Sequence, residues 1–247
     1  MSDGIIYKMG IEKTGVYRLS YEWLRSRLGD DFARIVSPRQ IKIYGNGGGM
    51  LPELIATPRI DDLQENTVQI VGGEDGRFDA NDYILFYAEG ADKQIYNIND
   101  KLFTLQKNTF DNYNYYFLKI SDESNRKIEQ QESLENTTYT TSTFDEIIHF
   151  EEEELNLLDA FNQAQGSGKR WYGDLFKNQK SYTYDFEVPN RVTTERIKIK
   201  AVLAARNRSN SNFNVNIEGT TLVSSNITNT NSSFLNPLKP NTPTSVF

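Results

Sequence analysis

The sequence predicts a mainly β protein made of two antiparallel, sandwich- or jelly-roll-like β domains with one or two short helices. Tyrosine and phenylalanine number 14 each among 247 residues, and Asn is plentiful, a composition typical of strands and turns. Short runs of alternating apolar and polar residues also recur along the chain, separated by turns that contain Gly, Asn or Asp. Together these observations favour antiparallel sheets over a helical fold.

The first part of the chain predicts the following elements in order. The stretch "IIYKMGIEKTGVYRLS" predicts two strands around a turn at 13–15. Ser20 can cap a short helix over 21–28, and Gly29 suits the left-handed exit of that helix. The runs "RQIKIYG", "NTVQIVG" and "DYILFYAEG" predict three more strands, and "YNYYFLKI" predicts another that ends at Ser121.

The second part of the chain begins with a polar stretch, 121–143, which predicts a long exposed connection. The run "FDEIIHFEEEELNLL" predicts a strand that continues into an acidic segment or a short helix. Apolar residues then alternate with polar ones at Tyr182, Tyr184 and Phe186, at Ile197 and Ile199, and at Phe213, Val215 and Ile217. We expect an N-terminal β domain over 1–175 and the start of a second, truncated β-sandwich domain over 176–247.

Composition excludes several classes of protein. The net charge of −7 and the pI near 5.0 argue against a nucleic-acid partner, which would select a basic surface. The chain has no cysteine, so it holds no disulfide, zinc-thiolate site or cysteine nucleophile. No run reaches the roughly 20 apolar residues of a membrane span. The opening "MSDG" is not a secretion signal.

The stretch "GNGGGMLPE", 45–53, has two interpretations. A phosphate-binding loop of the Walker type would continue with Gly-Lys-Ser/Thr, and a dinucleotide fingerprint would open a helix. Met50, Leu51 and Pro52 follow instead, and Pro52 disfavours a helix at this point. The glycines therefore favour a structural loop, in which they supply positive φ angles and close backbone contacts. A loop that holds a ligand is the alternative.

The stretch "GEDGRFDANDY" contains the densest group of oxygen ligands. Asp75, Asp79 and Asp82 are a candidate calcium site because Ca²⁺ takes six to eight oxygen ligands from closely spaced carboxylates. The spacing of an EF-hand is absent, and the same residues are also common in hairpin turns. No other cofactor is predicted.

Three other features have both a structural and a functional interpretation. His149 is the one histidine of the chain, but no nucleophile motif accompanies it, which favours a structural role. The acidic run 151–154 is either a solvated face or a docking surface for a basic partner. Trp171 and Tyr172 lie among glycines, where they either anchor a loop or contact a partner or a glycan. No catalytic residue is predicted, and no glycosidase pair of carboxylates stands out.

Several segments, in order, resemble the N-terminal region of the gingipain-like (peptidase family C25) sortases of type IX secretion systems. They are "GVYRLSYEWL", "IKIYGNGGGMLPE", "DDLQENTVQIVGGEDGRFDANDYILFYAEG", "NYNYYFLKI", "RWYGDLF" and "YTYDFEVPN". The resemblance implies a location at the extracellular face of the outer membrane, reached through an export signal missing from this chain. In that family a cysteine and a histidine in a later caspase-like α/β domain cleave and attach secreted cargo.

This chain departs from that pattern because it has no cysteine, so no catalytic residue can be transferred to it. The resemblance implies either an excised N-terminal piece, which we favour, or a relative that kept only the β modules. Enzyme status is therefore left open: no catalytic machinery is identified in this chain, and the resemblance implies that its full-length parent is a cysteine endopeptidase.

By the same resemblance, the expected role is a prosegment-like, docking or scaffold module. Its expected partners are the catalytic domain of the same parent, type IX secretion components or cargo proteins. The alternative is a carbohydrate-binding or adhesion module of a cell-surface protein, which the aromatic pair Trp171 and Tyr172 and the Asn/Thr-rich stretch 225–233 favour.

Overall fold

A computed structural model describes residues 5–99, 101–156, 171–205 and 207–229, together with the backbone of 244–246. The chain divides into two compact units, Met1–Thr140 (unit 1) and Thr141–Phe247 (unit 2). Both units are formed of antiparallel strands, and the described residues hold one short α-helix and two 3₁₀ turns. The predicted mainly β class with short helices is therefore confirmed.

The described residues form thirteen strands. They are β1 (Ile6–Ile11), β2 (Gly15–Ser20), β3 (Ile41–Tyr44), β4 (Glu65–Asn66), β5 (Val68–Val71), β6 (Tyr83–Ala88), β7 (Lys93–Asn97), β8 (Leu102–Gln106), β9 (Asn114–Ile120), β10 (Lys200–Val202), β11 (Ser211–Ile217), β12 (Thr220–Ile227) and β13 (Thr244–Val246). The helix α1 spans Tyr21–Leu28, and the 3₁₀ turns span Gly29–Arg34 and Pro38–Gln40.

Unit 1 contains two larger sheets, besides the hairpin of β7 and β8, and each draws its strands from several parts of the chain. Sheet A has the order β1-β9-β3-β4, and sheet B has the order β2-β6-β5, with every pair antiparallel. Since β1 and β2 are neighbours in sequence but belong to different sheets, the turn between them passes from one sheet to the other. The strands predicted from the first part of the chain all form.

The core of unit 1 lies between the two sheets. Sheet A contributes Ile41, Ile43 and Leu118, and sheet B contributes Ile84 and Phe86, all of them at most 1% exposed. These residues alternate with polar or outward-facing neighbours, which is the period of a strand with one buried face. The two inner faces therefore bury a single hydrophobic core.

Helix α1 packs on this core through Leu24 and Leu28, one turn apart on the same face. The Oγ of Ser20 accepts the backbone N–H of Trp23 at 3.2 Å, which satisfies one of the free donors of the first turn. Gly29 has φ +54° at the end of the helix. The helix, its cap and its exit therefore lie where the sequence predicts.

The chain that follows β9 closes one end of unit 1. The buried amide of Asn125 donates to the carbonyls of Pro38 and Ile41 at 3.0 and 2.9 Å. The Nζ of Lys42, 7% exposed, lies 3.3 Å from Glu65 and 3.1 Å from Glu123. Burial alone would lower the pKa of Lys42, but its hydrogen bonds to both carboxylates outweigh burial and raise it. These contacts fasten the segment after β9 to β3 and β4.

The hairpin of β7 and β8 was not predicted from the sequence. Its strands pair from Lys93–Gln106 to Asn97–Leu102 and form a two-stranded sheet of their own. Tyr96 and Phe103 face each other across the strands with ring centroids 5.0 Å apart. Such cross-strand aromatic pairs stabilise hairpins that have no third strand.

Unit 2 differs in part from the sequence prediction. Strands β11 and β12 pair with each other, and Phe213, Val215 and Ile217 lie in β11 as predicted. Residues 173–199, however, contain no strand, so the strands predicted around Tyr182, Tyr184 and Phe186 and around Ile197 and Ile199 are wrong. The physical reason is that no neighbouring strand pairs with this stretch, so its backbone has no ladder to join.

The predicted strand within 144–158 is likewise absent from the described part of that segment, where only Leu155 forms an isolated bridge, with Tyr172. Phe150 packs on Tyr184 and Phe186, with ring centroids 5.0 and 6.1 Å apart. Residues 141–175 fall in unit 2 of the division given above, and the expected N-terminal domain over 1–175 stays a prediction. That a sandwich domain starts at 176 stays a prediction.

Candidate functional site

The glycine-rich loop after β3 is a junction between the two sheets of unit 1. A Cβ on Gly45 would lie 2.5 Å from the Tyr116 ring, and one on Gly48 would overlap the carbonyl oxygen of Gly90. Gly47 has φ +81° and Gly49 has φ +85°, values that side-chain-bearing residues rarely adopt. The loop thus needs its glycines for close approach and for backbone conformation.

The polar groups of this junction bind one another. The Gly48 N–H donates to Oε2 of Glu89 at 2.7 Å, and the amide of Asn114 donates to the carbonyls of Gly47 and Glu89 at 2.5 and 3.0 Å. The hydroxyl of Tyr116 accepts the Glu89 N–H at 2.9 Å. The carboxylate of Glu89 therefore accepts a backbone N–H of this loop, the kind of donor that a phosphate binds at nucleotide-binding glycine loops.

The three candidate calcium ligands lie on the loop between β5 and β6, where two of them support turns. Oδ1 of Asp75 accepts the Arg77 N–H at 2.9 Å, and Oδ2 of Asp82 accepts the Asp79 N–H at 2.9 Å. Asp82 is 8% exposed, and its backbone carbonyl accepts the N–H of Tyr21 at 3.0 Å, which ties the loop to the start of α1. These bonds are the Asx-type turn contacts expected of Asp residues.

Within the described ranges, no group of three or more His, Cys, Asp or Glu side chains is placed to hold a metal ion. Asp75, Asp79 and Asp82 therefore share a loop without converging, and calcium binding stays a prediction. Gly72, at φ +78°, lets Asp82 approach closely, since a Cβ there would overlap its Oδ1. The loop is thus organised around the buried carboxylate of Asp82.

The aromatic pair of unit 2 lies beside the bridge to Leu155. Tyr172 exchanges two backbone hydrogen bonds with Leu155, at 2.7 and 2.8 Å, and its buried hydroxyl has no partner among the described residues. Trp171 is 43% exposed. The structure therefore anchors Tyr172 and leaves much of the Trp171 ring open to solvent.

A second aromatic group in unit 2 was not singled out from the sequence. Tyr184 packs on Phe150, and its hydroxyl donates to Asp174 at 2.5 Å. Burial and this hydrogen bond raise the pKa of Tyr184 to about 12. No sequence signal joins these residues, because Asp174 precedes Tyr184 by 10 positions and Phe150 reaches Tyr184 only through tertiary packing.

His149 lies on the exposed part of the same unit, with Nε2 2.9 Å from Oε2 of Glu151. This pair belongs to the acidic run that was considered as a docking surface. Glu151 follows His149 by two positions, so the contact is local and does not assemble residues from distant parts of the chain.

The described part of unit 1 also has an open depression with a volume of about 620 Å³, next to α1. The rings of Tyr21, Phe32 and Phe78 line it, and Arg25 and Asp30 lie among its polar neighbours. The rings of Tyr21 and Phe32 meet edge to face at 5.0 Å. This surface is an aromatic cluster that supports the helix and the Asp82 loop, and the sequence did not reveal it.

Comparison with solved structures gives a structural relationship. No protein-family model and no curated protein matches the sequence. The fold is similar to that of PorU. The match is to a crystal structure of dimeric latent PorU from Porphyromonas gingivalis, with a TM-score of 0.53 and 20% sequence identity. The match covers 100% of this chain and 22% of the PorU chain. At this sequence identity it shows a PorU-like fold and nothing further.

The described residues contain no helix that is long and apolar enough to cross a membrane.

Proposed function

We propose that this chain is the non-catalytic N-terminal β region of a type IX secretion cysteine peptidase of the PorU kind. Its role is that of a prosegment-like, docking or scaffold module at the cell surface. The observation that carries the proposal is the PorU-like fold over the full length of the chain. The chain spans 22% of the PorU sequence it matches, so the peptidase activity of the parent is part of the proposal.

The candidate sites support this role. At the glycine junction, the polar groups of Gly48, Glu89 and Asn114 are paired with one another. On the Asp82 loop, Asp75 and Asp82 accept backbone N–H groups. The donors and acceptors that a ligand would need at these two places are already used in hydrogen bonds within the fold, which favours a scaffold role.

The proposal is tested by binding. Purified 247-residue chain is titrated against the peptidase domain of its parent and against type IX secretion components, and we expect saturable binding to the peptidase domain. A peptide-cleavage assay of the peptidase domain, with and without added chain, separates two of the roles. A prosegment lowers the cleavage rate, whereas a scaffold leaves it unchanged. If no titration shows binding, the proposal is refuted.

A carbohydrate-binding role is the second candidate, and the exposure of Trp171 favours it. A ring that is 43% exposed beside an anchored Tyr172 can stack on a sugar face. Glycan-array binding that disappears in Trp171→Ala, with an unchanged melting temperature, would establish this role. Equal binding by both proteins, or none by either, would reject it.

A further inference from the structure

Unit 1 carries an aliphatic loop whose side chains are directed into solvent. The loop, 50–60, reads "MLPELIATPRI" and contains five large aliphatic residues. Leu51, Leu54 and Ile55 are 70%, 74% and 94% exposed. Folded proteins of this size mostly bury large aliphatic side chains, because removing apolar surface from water is favourable.

The loop is held in place at its base. The Gly45 N–H donates to the carbonyl of Gln64 at 2.9 Å, the Asn46 amide donates to the Asp62 carbonyl at 3.1 Å, and the Gln64 N–H donates to Oδ1 of Asn46 at 2.9 Å. Pro52 and Pro58 further restrict the backbone between these anchors. Because the base of the loop is fixed, a partner that binds the aliphatic side chains loses less conformational entropy in ordering the loop.

A second turn contacts the loop and also exposes an apolar side chain. Sδ of Met50 lies 3.5 Å from Oγ1 of Thr109, next to Phe110, which is 80% exposed. Oδ1 of Asn108 accepts the N–H of Phe110 at 3.0 Å and fixes this turn. The aliphatic loop surface, defined here as Leu51, Leu54, Ile55 and Phe110, is therefore built from two turns joined through Met50.

We infer that the aliphatic loop surface is the face on which unit 1 docks against the peptidase domain of its parent. The inference rests on the proposed function and names the contact surface within it. The chain corresponds to 22% of the PorU chain it matches, so most of such a parent lies outside the structure described here. Apolar surface that a piece of a larger protein leaves open marks where the remainder packs.

Charge disfavours an anionic lipid surface as the occupant. Stretch 50–62 contains Arg59 against Glu53, Asp61 and Asp62. Residues 1–140 contain 16 Lys and Arg against 22 Asp and Glu, a difference of −6. An acidic loop on an acidic unit is repelled by anionic headgroups, whereas an apolar protein surface carries no such penalty.

The test compares the double variant Leu54→Asp/Ile55→Asp with a matched control, Val36→Asp. Val36 is 71% exposed on unit 1 and is not part of the aliphatic loop surface. Affinity of each full 247-residue chain for the separately expressed peptidase domain is measured by biolayer interferometry, with melting temperatures measured in parallel. We expect the double variant to bind at least about tenfold more weakly, as at interface hot spots, and Val36→Asp to bind like wild type.

Each other outcome refutes a distinct statement. Equal affinity of wild type and double variant would overturn the docking surface and leave the proposed function standing. Absence of wild-type binding to the peptidase domain would overturn the docking surface, and absence of binding to the secretion components as well would also refute the proposed function. Self-association, or binding to anionic vesicles, that the double variant abolishes would assign the surface to another occupant. If the double variant unfolds, hydroxyl-radical footprinting of wild type replaces it. Leu54 and Ile55 must then be several-fold less oxidised in the full-length parent than in this chain, and unchanged oxidation overturns the inference.

Discussion

Substitution of Gly48 by Ala tests whether the glycine junction is structural. The new Cβ would overlap the Gly90 carbonyl oxygen and lie 2.8 Å from Cβ of Glu89. The backbone oxygen cannot rotate away, so strain of about 1–3 kcal/mol is expected from overpacking. Any shift of the loop also weakens the hydrogen bond from the Gly48 N–H to the carboxylate of Glu89, and hydrogen bonds to charged groups are worth about 1.5–3 kcal/mol.

The total for Gly48→Ala is thus about 2–5 kcal/mol, which lowers the melting temperature of a domain of this size on the order of 10 °C. The assay is thermal unfolding followed by circular dichroism, together with urea titration. Gly15→Ala is the matched control, because nothing lies within 4 Å of a Cβ at Gly15. That variant should keep or slightly raise stability, since alanine restricts the unfolded chain.

Equal melting temperatures for Gly48→Ala and Gly15→Ala would refute the structural interpretation of the loop. A ligand-holding loop predicts that outcome, because its glycines would be needed for the ligand and not for packing against Gly90. The experiment therefore separates the two interpretations that the sequence left open.

Two further predictions concern protonation and metal binding. Burial and the hydrogen bond to Asp31 raise the pKa of Tyr7 to about 12, so the folded state holds this proton more tightly than the unfolded state. The contribution of this raised pKa to stability is therefore complete below pH 10 and is lost as the pH rises towards 12. In an absorbance titration of the tyrosines at alkaline pH, Tyr7→Phe should remove one ionisation near the upper end of the pH range. An unchanged titration would contradict this. Millimolar Ca²⁺ should leave the melting temperature at its value in chelator, because Asp75 and Asp82 already accept backbone N–H groups; a rise that Asp79→Asn abolishes would establish the site instead.

Local patterns in the sequence predicted most of unit 1. The helix followed from the cap at Ser20 and the spacing of Leu24 and Leu28, and the strands followed from alternation that matches one buried face. These signals are carried by neighbouring residues, so they can be interpreted without knowledge of tertiary contacts. The candidate loops were located for the same reason, since Gly and Asp mark turns locally.

The misses arose where a nonlocal partner decides the outcome. Alternation at Tyr182, Tyr184 and Phe186 is genuine, but a strand forms only if another strand pairs with it, and none does. Tyr184 instead meets Phe150, which no local pattern links to it. The exposure of the aliphatic loop was not predicted, because only the fold shows which apolar side chains lie outside the core.

A glycine loop and an acidic turn offer the same hydrogen-bonding groups whether they bind a ligand or another part of the protein. Their function therefore depends on which group, the occupant, accepts or donates those hydrogen bonds. At the junction of unit 1 the occupant is Glu89, and on the Asp82 loop it is a backbone N–H. Donors and acceptors paired within the fold are not available to bind a ligand or a partner. Recognition then falls to side chains that the fold leaves without contacts, and Ile55, at 94%, is the most exposed large hydrophobic residue among those described. Under the proposed function, Ile55 and its loop, whose base is fixed by hydrogen bonds, form the docking face that the Leu54→Asp/Ile55→Asp variant tests.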